Sequence, residues 1–464
     1  MSRLVVVSNR VADLDNPKAG GLAVGVGDGL KANGGVWFGW NGNIEEPGAG
    51  LGLSISRTGN VQVATMGLSQ QDYDEFYVGY SNSVLWPMLH YRLDLVKFET
   101  AQLDGYKRVN QRFADALSPL LEENDLVWIH DYHLIPLASE LRKRGHGQKI
   151  GFFLHIPFAP PDILSATPEH RWLMTCLFSY DVVGVQSRAD LNNLKRYVVD
   201  EAGGTVSDDG TMSAFGSTIH ADAFPIGINV ESFRDIAEED ESQEVIATLR
   251  RRTLDRTMII GVDRLDYSKG LPDRLRAFER LLELYPENRK TVTFMQIAPP
   301  TRENVDAYAD IREELEKLSG AINGRFADFD WTPLRYIHRN IAREKLAPLF
   351  RASKVGFVSP LRDGMNLVAK EYIAAQNPDD PGVLVLSKFA GAAEELEEAL
   401  IVNPYDVDEM AGTLQRALRM NLEERQERQA ALLKRIRAND AHHWQSRFLS
   451  ALEATGLSPS SAPS

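Results

Sequence analysis

Eight short apolar runs punctuate the chain, at residues 4–7, 126–129, 150–154, 182–185, 258–262, 292–297, 355–358 and 383–386. Each is four to six residues long with little polar alternation, the pattern of a strand buried on both faces. Between the runs, apolar positions recur at helical spacing. Val109, Phe113, Leu117 and Leu120 share one face, as do Leu275, Phe278, Leu281 and Leu282. Strands alternating with helices predict an α/β fold built on parallel sheets. The acidic stretch 237–244 lies between two such series, which together are too long for one simple sheet. Two doubly wound domains are therefore expected, residues 1–230 and 231–440, although the acidic stretch also reads as an exposed helix start within one domain. The small, polar tail 456–464 is expected to be disordered.

Composition narrows the class. The chain has 464 residues, of which 43% are hydrophobic and 25% charged, values of an ordinary globular protein. Lys and Arg number 51 against 65 Asp and Glu, a net charge of −14. Such a surface argues against non-specific nucleic-acid binding and against coating an anionic membrane. Cys176 is the single cysteine, so an intrachain disulfide and a Cys-rich zinc site are excluded, which suits a reducing compartment. The apolar core near the N-terminus is four residues long, too short for a signal peptide, and no window approaches the ~18 apolar residues of a membrane span. A cytoplasmic protein is expected.

The candidate chemistry sits where the strands end. In open α/β sheets, ligands bind beyond the carboxyl ends of the strands. The runs here lead into Ser8-Asn9-Arg10, His130-Asp131, His155, Asp263-Arg264, Arg302 and Arg362-Asp363. Any one could be a helix cap or a surface charge; six on the same edge point to a site. Arg264 and Lys269 bracket a short loop that leads through Gly270 into a helix opening near Pro272. Asp363-Gly364-Met365-Asn366-Leu367 predicts a turn and a second helix start. Its backbone N–H groups would carry roughly half a positive charge and bind phosphate. Two fixed cations and one helix start suit a diphosphate. Glu371, early in that helix, is placed to accept from ribose hydroxyls, or is simply a helix-start glutamate favoured by the dipole.

Other patterns carry less. The glycine-rich loop 19–29, which includes Gly20 and Gly21, reads GxGxG rather than GxGxxG, and no Walker loop is present. A nicotinamide or ATP site is thus disfavoured, although the glycines permit close backbone approach to a ligand. His130 and His133 have metal-like spacing without a third ligand in view. Asp72-Tyr73-Asp74 resembles a metal-holding acid pair but lies in helix-like sequence. His442-His443-Trp444 reads as helix surface beside a packing tryptophan. No Gly-x-Ser-x-Gly elbow occurs.

Long strings of this chain resemble the trehalose-6-phosphate synthases. They are Leu-Val-Val-Val-Ser-Asn-Arg10, Ala-Gly-Gly-Leu22, Val-Trp-Phe-Gly-Trp40, Tyr77 with Leu-Trp-Pro87, Trp-Ile-His-Asp-Tyr-His133, Phe-Phe-Leu-His-Ile-Pro-Phe158, Arg-Leu-Asp-Tyr-Ser-Lys-Gly270, Gln-Ile-Ala-Pro299 and Pro-Leu-Arg-Asp-Gly-Met-Asn-Leu-Val-Ala-Lys-Glu371. The resemblance spans residues 2 to about 452 and is strongest to the bacterial, UDP-forming enzymes. It implies a GT-B fold of two Rossmann-like domains, the first completed by a C-terminal helix at 441–455. It implies a retaining transfer of glucose from UDP-glucose to glucose 6-phosphate, giving α,α-trehalose 6-phosphate and UDP, with no required metal or other cofactor. By the matching motifs, Arg10 and Arg302 would hold the acceptor phosphate, Tyr77 and Trp86 would line the acceptor glucose, and Asp131 would bind its hydroxyls. Gly20, Gly21 and His155 would contact the donor sugar and diphosphate. Arg264 and Lys269 would hold the diphosphate, and Asp363 the donor glucose hydroxyls. Leu367 and Val368 would offer backbone groups, Glu371 would meet the ribose, and Ile341 would pack near the uracil. Arg264, Lys269, Asp131 and His155 are the expected catalytic set, with Asp131 as an acceptor-binding group rather than an assigned nucleophile.

Some features depart from the family pattern. The loops at 12–18 and 42–53 match no string of the family. Ile341 is aliphatic where a ring can also occur, which leaves GDP- or ADP-glucose open as donor; another phosphorylated acceptor such as glycerol 3-phosphate is also open. No Asp-x-Asp-x-Thr/Val string occurs, so no fused phosphatase is expected. Some relatives are tetramers, so a homo-oligomer is possible by resemblance alone.

Overall fold

All eight apolar runs form strands. The structure is a computed structural model, and it describes residues 2–12, 27, 30, 34–46, 52–254, 256–302 and 306–456. The chain divides into two units, one running to Pro225 and resuming at His442, the other spanning Ile226–Ala441.

The first unit holds strands β1 (Leu4–Arg10), β2 (Gly35–Ile44), β3 (Ser54–Thr58), β4 (Val61–Leu68), β5 (Leu126–His130), β6 (Lys149–Phe153), β7 (Val182–Val185), β8 (Thr205–Val206), β9 (Thr211–Ala214) and β10 (Ser217–Ala223). They form one sheet in the order β3-β4-β2-β1-β5-β6-β7-β10-β9-β8. The strands from β4 to β10 pair in parallel, and antiparallel strands close both edges. The order reverses between β1 and β5, which pair Val5 with Val127 and Ser8 with His130. The helix Thr100–Leu117 buries Val109, Phe113 and Leu117 as its spacing predicts. Leu120 falls beyond it, because Pro119 tightens the chain into a 3₁₀ turn over Ser118–Leu120.

The C-terminal helix Ala441–Ala454 packs on this sheet. Phe448 stacks on Trp128 with ring centroids 4.7 Å apart, and Trp444 lies 4.9 Å from the same ring. A Cβ at Gly151 or Gly184 would come within 2.6 or 2.8 Å of the Phe448 ring, so both glycines are needed for this seat. His442 and His443 are exposed beside the buried Trp444, as the sequence reading expects.

The second unit holds β11 (Thr257–Val262), β12 (Val292–Ile297), β13 (Leu334–Ile337), β14 (Val355–Val358), β15 (Val383–Ser387) and β16 (Leu400–Val402). All pairs are parallel, in the order β13-β12-β11-β14-β15-β16. This is the doubly wound Rossmann order, with its reversal between β11 and β14. The acidic stretch 237–244 ends the helix Val230–Glu238 and starts the helix Asp240–Thr253, both inside this unit. Among the described residues, no helix is long and apolar enough to cross a membrane.

Candidate active site

In the first unit, the reversal between β1 and β5 brings Arg10 and His130-Asp131 to neighbouring strand ends. Arg10 is exposed, and its guanidinium lies 5.8 Å from the centroid of the Trp40 ring. Trp40 meets Tyr77 at 5.8 Å, and Tyr77 stacks on His133 at 5.8 Å with the planes 9° apart. An aromatic wall thus runs from the end of β1 to the end of β5. Tyr77 sits in a π-helix over Tyr73–Leu85, followed directly by the short helix that begins at Trp86. Asn82 ties this element down, donating to the Tyr77 carbonyl (2.7 Å) and accepting from the Tyr132 hydroxyl (2.8 Å). Trp86 is buried, 5.7 Å from the Tyr132 ring.

Asp131 takes a left-handed conformation, φ 75°, a strained choice for a non-glycine residue. Its N–H donates to the Phe153 carbonyl at 2.8 Å, and its Oδ1 lies 3.4 Å from the backbone N of His155. His155 follows β6, and its Nε2 is 3.0 Å from Nδ1 of the buried His130. Burial pushes the His155 imidazole down to about 3, and pushes His130 well below its ordinary range, with the neighbouring His155 adding to the effect. Both rings are neutral at pH 7.

The weaker metal readings resolve into other roles. His130 bonds to His155 and His133 stacks on Tyr77. Asp72 is buried and ion-paired to Arg108 (2.7 Å) and Arg112. Among the described residues, no three His, Cys, Asp or Glu side chains are grouped to hold a metal.

In the second unit, the reversal between β11 and β14 gathers Asp263-Arg264, Lys269 and Asp363. The loop after β11 is shaped by Asp266, fully buried, whose Oδ1 accepts from the Ser268 backbone N–H (2.9 Å) and hydroxyl (2.8 Å). Gly270 ends this loop at φ 62°; a Cβ there would lie 2.5 Å from the Ser359 carbonyl. The Ser268 carbonyl accepts from the Leu361 N–H at 2.8 Å, joining the loops that follow β11 and β14.

A closed ring of hydrogen bonds runs beneath these loops. Lys269 Nζ donates to Asp363 Oδ2 at 2.5 Å. Asn366 Nδ2 donates to Asp363 Oδ2 and to Asp263 Oδ1, both at 3.1 Å. Arg274, fully buried, donates through Nη2 to Asp263 Oδ2 (2.8 Å) and to the Lys269 carbonyl (3.3 Å). Asn366 is the N-cap residue of the helix Leu367–Ala375, in left-handed conformation at φ 72°. Its amide is committed to the two aspartates and makes no cap bond, so the side chain of the N-cap residue does not take up the N–H groups at the helix start.

Glu371 lies one turn further along, half-buried. Burial pushes its carboxyl up to about 7, against the opposing pull of Arg343. Arg343 opens the helix Arg343–Ala352, and half-buried Ile341 lies just before its N-cap residue, Ala342. Arg302, at φ 47°, donates to the Tyr308 hydroxyl (2.7 Å) and reaches Asp266 Oδ2 at 3.5 Å. Arg264 is exposed on its strand end. The expected residues divide between the units: Arg10, Tyr77, Trp86, Asp131 and His155 belong to the first, and Arg264, Lys269, Arg302, Ile341, Asp363, Leu367, Val368 and Glu371 to the second, so that Arg302, expected at the acceptor, lies in the second unit and His155, expected at the donor, in the first. Gly20 and Gly21 lie outside the described residues.

The supporting groups Asp263, Arg274, Asn366 and His130 were given no binding role by the sequence reading. Arg274 had a usable signal: it shares the apolar face of its helix with Leu271, Leu275 and Phe278, where a charge needs a buried partner.

A doubly wound sheet in each unit, with polar groups converging on both reversal points, is the plan of the GT-B glycosyltransferases. The chain belongs to glycosyltransferase family 20, whose family model matches residues 7–454. It is 50% identical over 457 residues to a trehalose-6-phosphate synthase of Enterobacter sp. (strain 638), covering 98% of this chain and 96% of that one. Its fold matches, with a TM-score of 0.95 and 51% identity, an α,α-trehalose-phosphate synthase (UDP-forming) from Burkholderia xenovorans in complex with glucose-6-phosphate, covering 98% of this chain and 100% of that one. An E. coli structure described as trehalose-6-phosphate bound with UDP-2-fluoro glucose matches with a TM-score of 0.94 and 48% identity, over 99% and 100% of the two chains.

Proposed function

We propose that this chain transfers glucose from UDP-glucose to glucose 6-phosphate, with retention at the anomeric carbon, giving α,α-trehalose 6-phosphate and UDP. The observation that carries the reading is the hydrogen-bonded ring through Lys269, Asp363, Asn366, Asp263 and Arg274 beneath an uncapped helix start. Cleaving the donor bond develops negative charge on the diphosphate. Donors fixed in advance stabilise that charge without reorganising as it forms. Lys269, Arg264 and the N–H groups of Leu367 and Val368 are those donors. Lys269 carries three protons, so it can keep Asp363 while reaching a phosphate oxygen. Asp363 then serves the donor glucose hydroxyls, Glu371 the ribose, and Ile341 the base, while His155 with Gly20 and Gly21 approaches the sugar and diphosphate.

The first unit with the C-terminal helix is assigned to the acceptor. Tyr77 and Trp86 line its glucose, Asp131 binds its hydroxyls, and Arg10 and Arg302 are the residues assigned to its phosphate. The Burkholderia complex with glucose-6-phosphate and the E. coli complex with UDP-2-fluoro glucose support this pair of substrates. A reducing, cytoplasmic setting suits the lone Cys176, whose thiol burial pushes up to about 12.

The test is UDP release from UDP-glucose, in chelator, with and without glucose 6-phosphate. Release that requires the acceptor and yields a phosphorylated, non-reducing disaccharide supports the reading. Turnover with GDP- or ADP-glucose alone would move the donor assignment, and no turnover with any of the three would overturn the transferase reading.

A further inference from the structure

Among the described residues, His130 is a fully buried polar side chain that touches a proposed donor-sugar contact while having no assigned role of its own. It ends β5, and its Nδ1 sits 3.0 Å from Nε2 of His155. Its other nitrogen, Nε2, is buried, and no described polar atom pairs with it. What surrounds it is aromatic: Trp128 at 4.5 Å between centroids, Trp444 at 6.3 Å and Phe153 at 6.4 Å.

Two neutral imidazoles sharing one hydrogen bond have one proton between them, which leaves two arrangements. If His155 were the donor, the proton of His130 would sit on Nε2, a buried N–H with no polar acceptor. If His130 is the donor, its Nε2 is a bare lone pair instead. Orphaned buried N–H groups are the rarer and costlier of the two defects. The second arrangement therefore wins.

We propose that His130 is a positioning residue that donates its Nδ1–H to Nε2 of His155 and so fixes His155 as an Nδ1–H donor toward the donor sugar or its phosphate. The inference rests on the reading that His155 contacts the donor. Its chemistry is consistent with that reading, because sugar hydroxyls and phosphate oxygens accept hydrogen bonds and a His155 ring in the other tautomer would offer them only a lone pair. His155 is further held from its backbone side, where Asp131 Oδ1 lies 3.4 Å from its N.

The experiment combines a double-mutant cycle with ring-nitrogen NMR on the full chain. His130→Phe removes the donor and keeps a ring. His130→Asn keeps an N–H close to the place of Nδ1. His155→Ala removes the group acted on, at an expected loss of ~10²–10³ in kcat. His130→Phe should lower kcat at least ~10-fold with KM for glucose 6-phosphate unchanged, His130→Asn should recover most of it, and His130→Phe should add nothing in the His155→Ala background. In ¹⁵N-histidine-labelled protein, His155 should show a pyrrole-like Nδ1 and a pyridine-like Nε2. Multiplicative losses in the cycle, or the reversed shifts in the unmutated protein, would overturn the proposal. Full turnover in His155→Ala would instead overturn the donor-contact reading, and the NMR shifts would still decide the tautomer.

Discussion

Arg274 offers the sharpest test of how the donor half is held. Its side chain is fully buried and donates to four groups: Asp263 Oδ2 at 2.8 Å, Ser359 Oγ at 3.0 Å, Gln296 Oε1 at 3.3 Å and the Lys269 carbonyl at 3.3 Å. Arg274→Met keeps most of the volume and removes the charge and every donor. Asp263, itself buried, is then a carboxylate whose only remaining partner in the ring is the Asn366 amide. Breaking a buried ion pair by removing one member costs about 3–5 kcal/mol, because the other charge is left uncompensated. At roughly 2–4 °C per kcal/mol for a unit of this size, the melting transition of the second unit should fall by about 6–20 °C. Calorimetry measures it directly. Asp263→Asn removes the stranded charge and keeps an acceptor for Asn366. The double variant should therefore be more stable than the sum of the two singles by about 0.5–3 kcal/mol. A loss below ~1 kcal/mol in Arg274→Met, or strict additivity of the two changes, would refute the account of the ring as a charge-compensated unit.

Three further outcomes are expected. Lys269→Ala should cut turnover by about 10²–10³ while calorimetric glucose 6-phosphate binding is retained; unchanged turnover would remove Lys269 from the diphosphate. Arg302→Ala should raise KM for glucose 6-phosphate far more than it affects reaction with unphosphorylated glucose, and an equal loss with both acceptors would argue against a phosphate contact. Glu371 titrates near 7 in the folded chain because burial raises it above the unfolded value. The folded state then holds the proton more tightly, so its contribution to stability is full at low pH and is lost as pH rises through about 7. Glu371→Gln should thus gain stability relative to the parent from pH 5 to pH 8 in urea melts, and a flat difference would show that the carboxyl ionises freely.

What the sequence made legible follows from which physical rules are local. Continuous apolar runs announce strands covered on both faces, and all eight such runs are strands. β2 was missed because Gly39, Gly42, Asn41 and Asn43 interrupt its apolar pattern, although Gly39 sits where a Cβ would strike the Ser8 carbonyl of β1 at 2.2 Å. β13 and β16 are outer strands of only a few residues; Arg335 interrupts the first, and the second is an apolar run of three residues, too short to stand out. The π-helix over Tyr73–Leu85 has no local signature either, since its wider turn differs little from an α-helix in the side chains it selects.

The strand-end rule explains which site residues could be reached from the sequence and which needed the family resemblance. Strand order depends on pairing between distant segments, yet both reversal points fall beside runs recognisable from the sequence: β1 and β5 in one unit, β11 and β14 in the other. Arg10, Asp131, Arg264 and Asp363 lie at or just beyond those four ends, so the rule alone selects them. Tyr77, Trp86 and Ile341 come from helices or loops that no sheet rule points to, and the resemblance alone supplied them. The third group, His130, Asp263 and Arg274, is buried and reaches no surface where a ligand would betray it. The strand-end rule names His130 and Asp263 beside Asp131 and Arg264 without giving either a role, and Arg274 is legible only as a conflict, a polar group at an apolar position; each of the three is hydrogen-bonded to a group that the sequence had already marked or to its neighbour: His155 for His130, and for Arg274 the Lys269 carbonyl and Asp263, which in turn holds Asn366 against Asp363. A charged or imidazole side chain at a core position next to a strand end is thus a pointer to the site rather than an exception to the core.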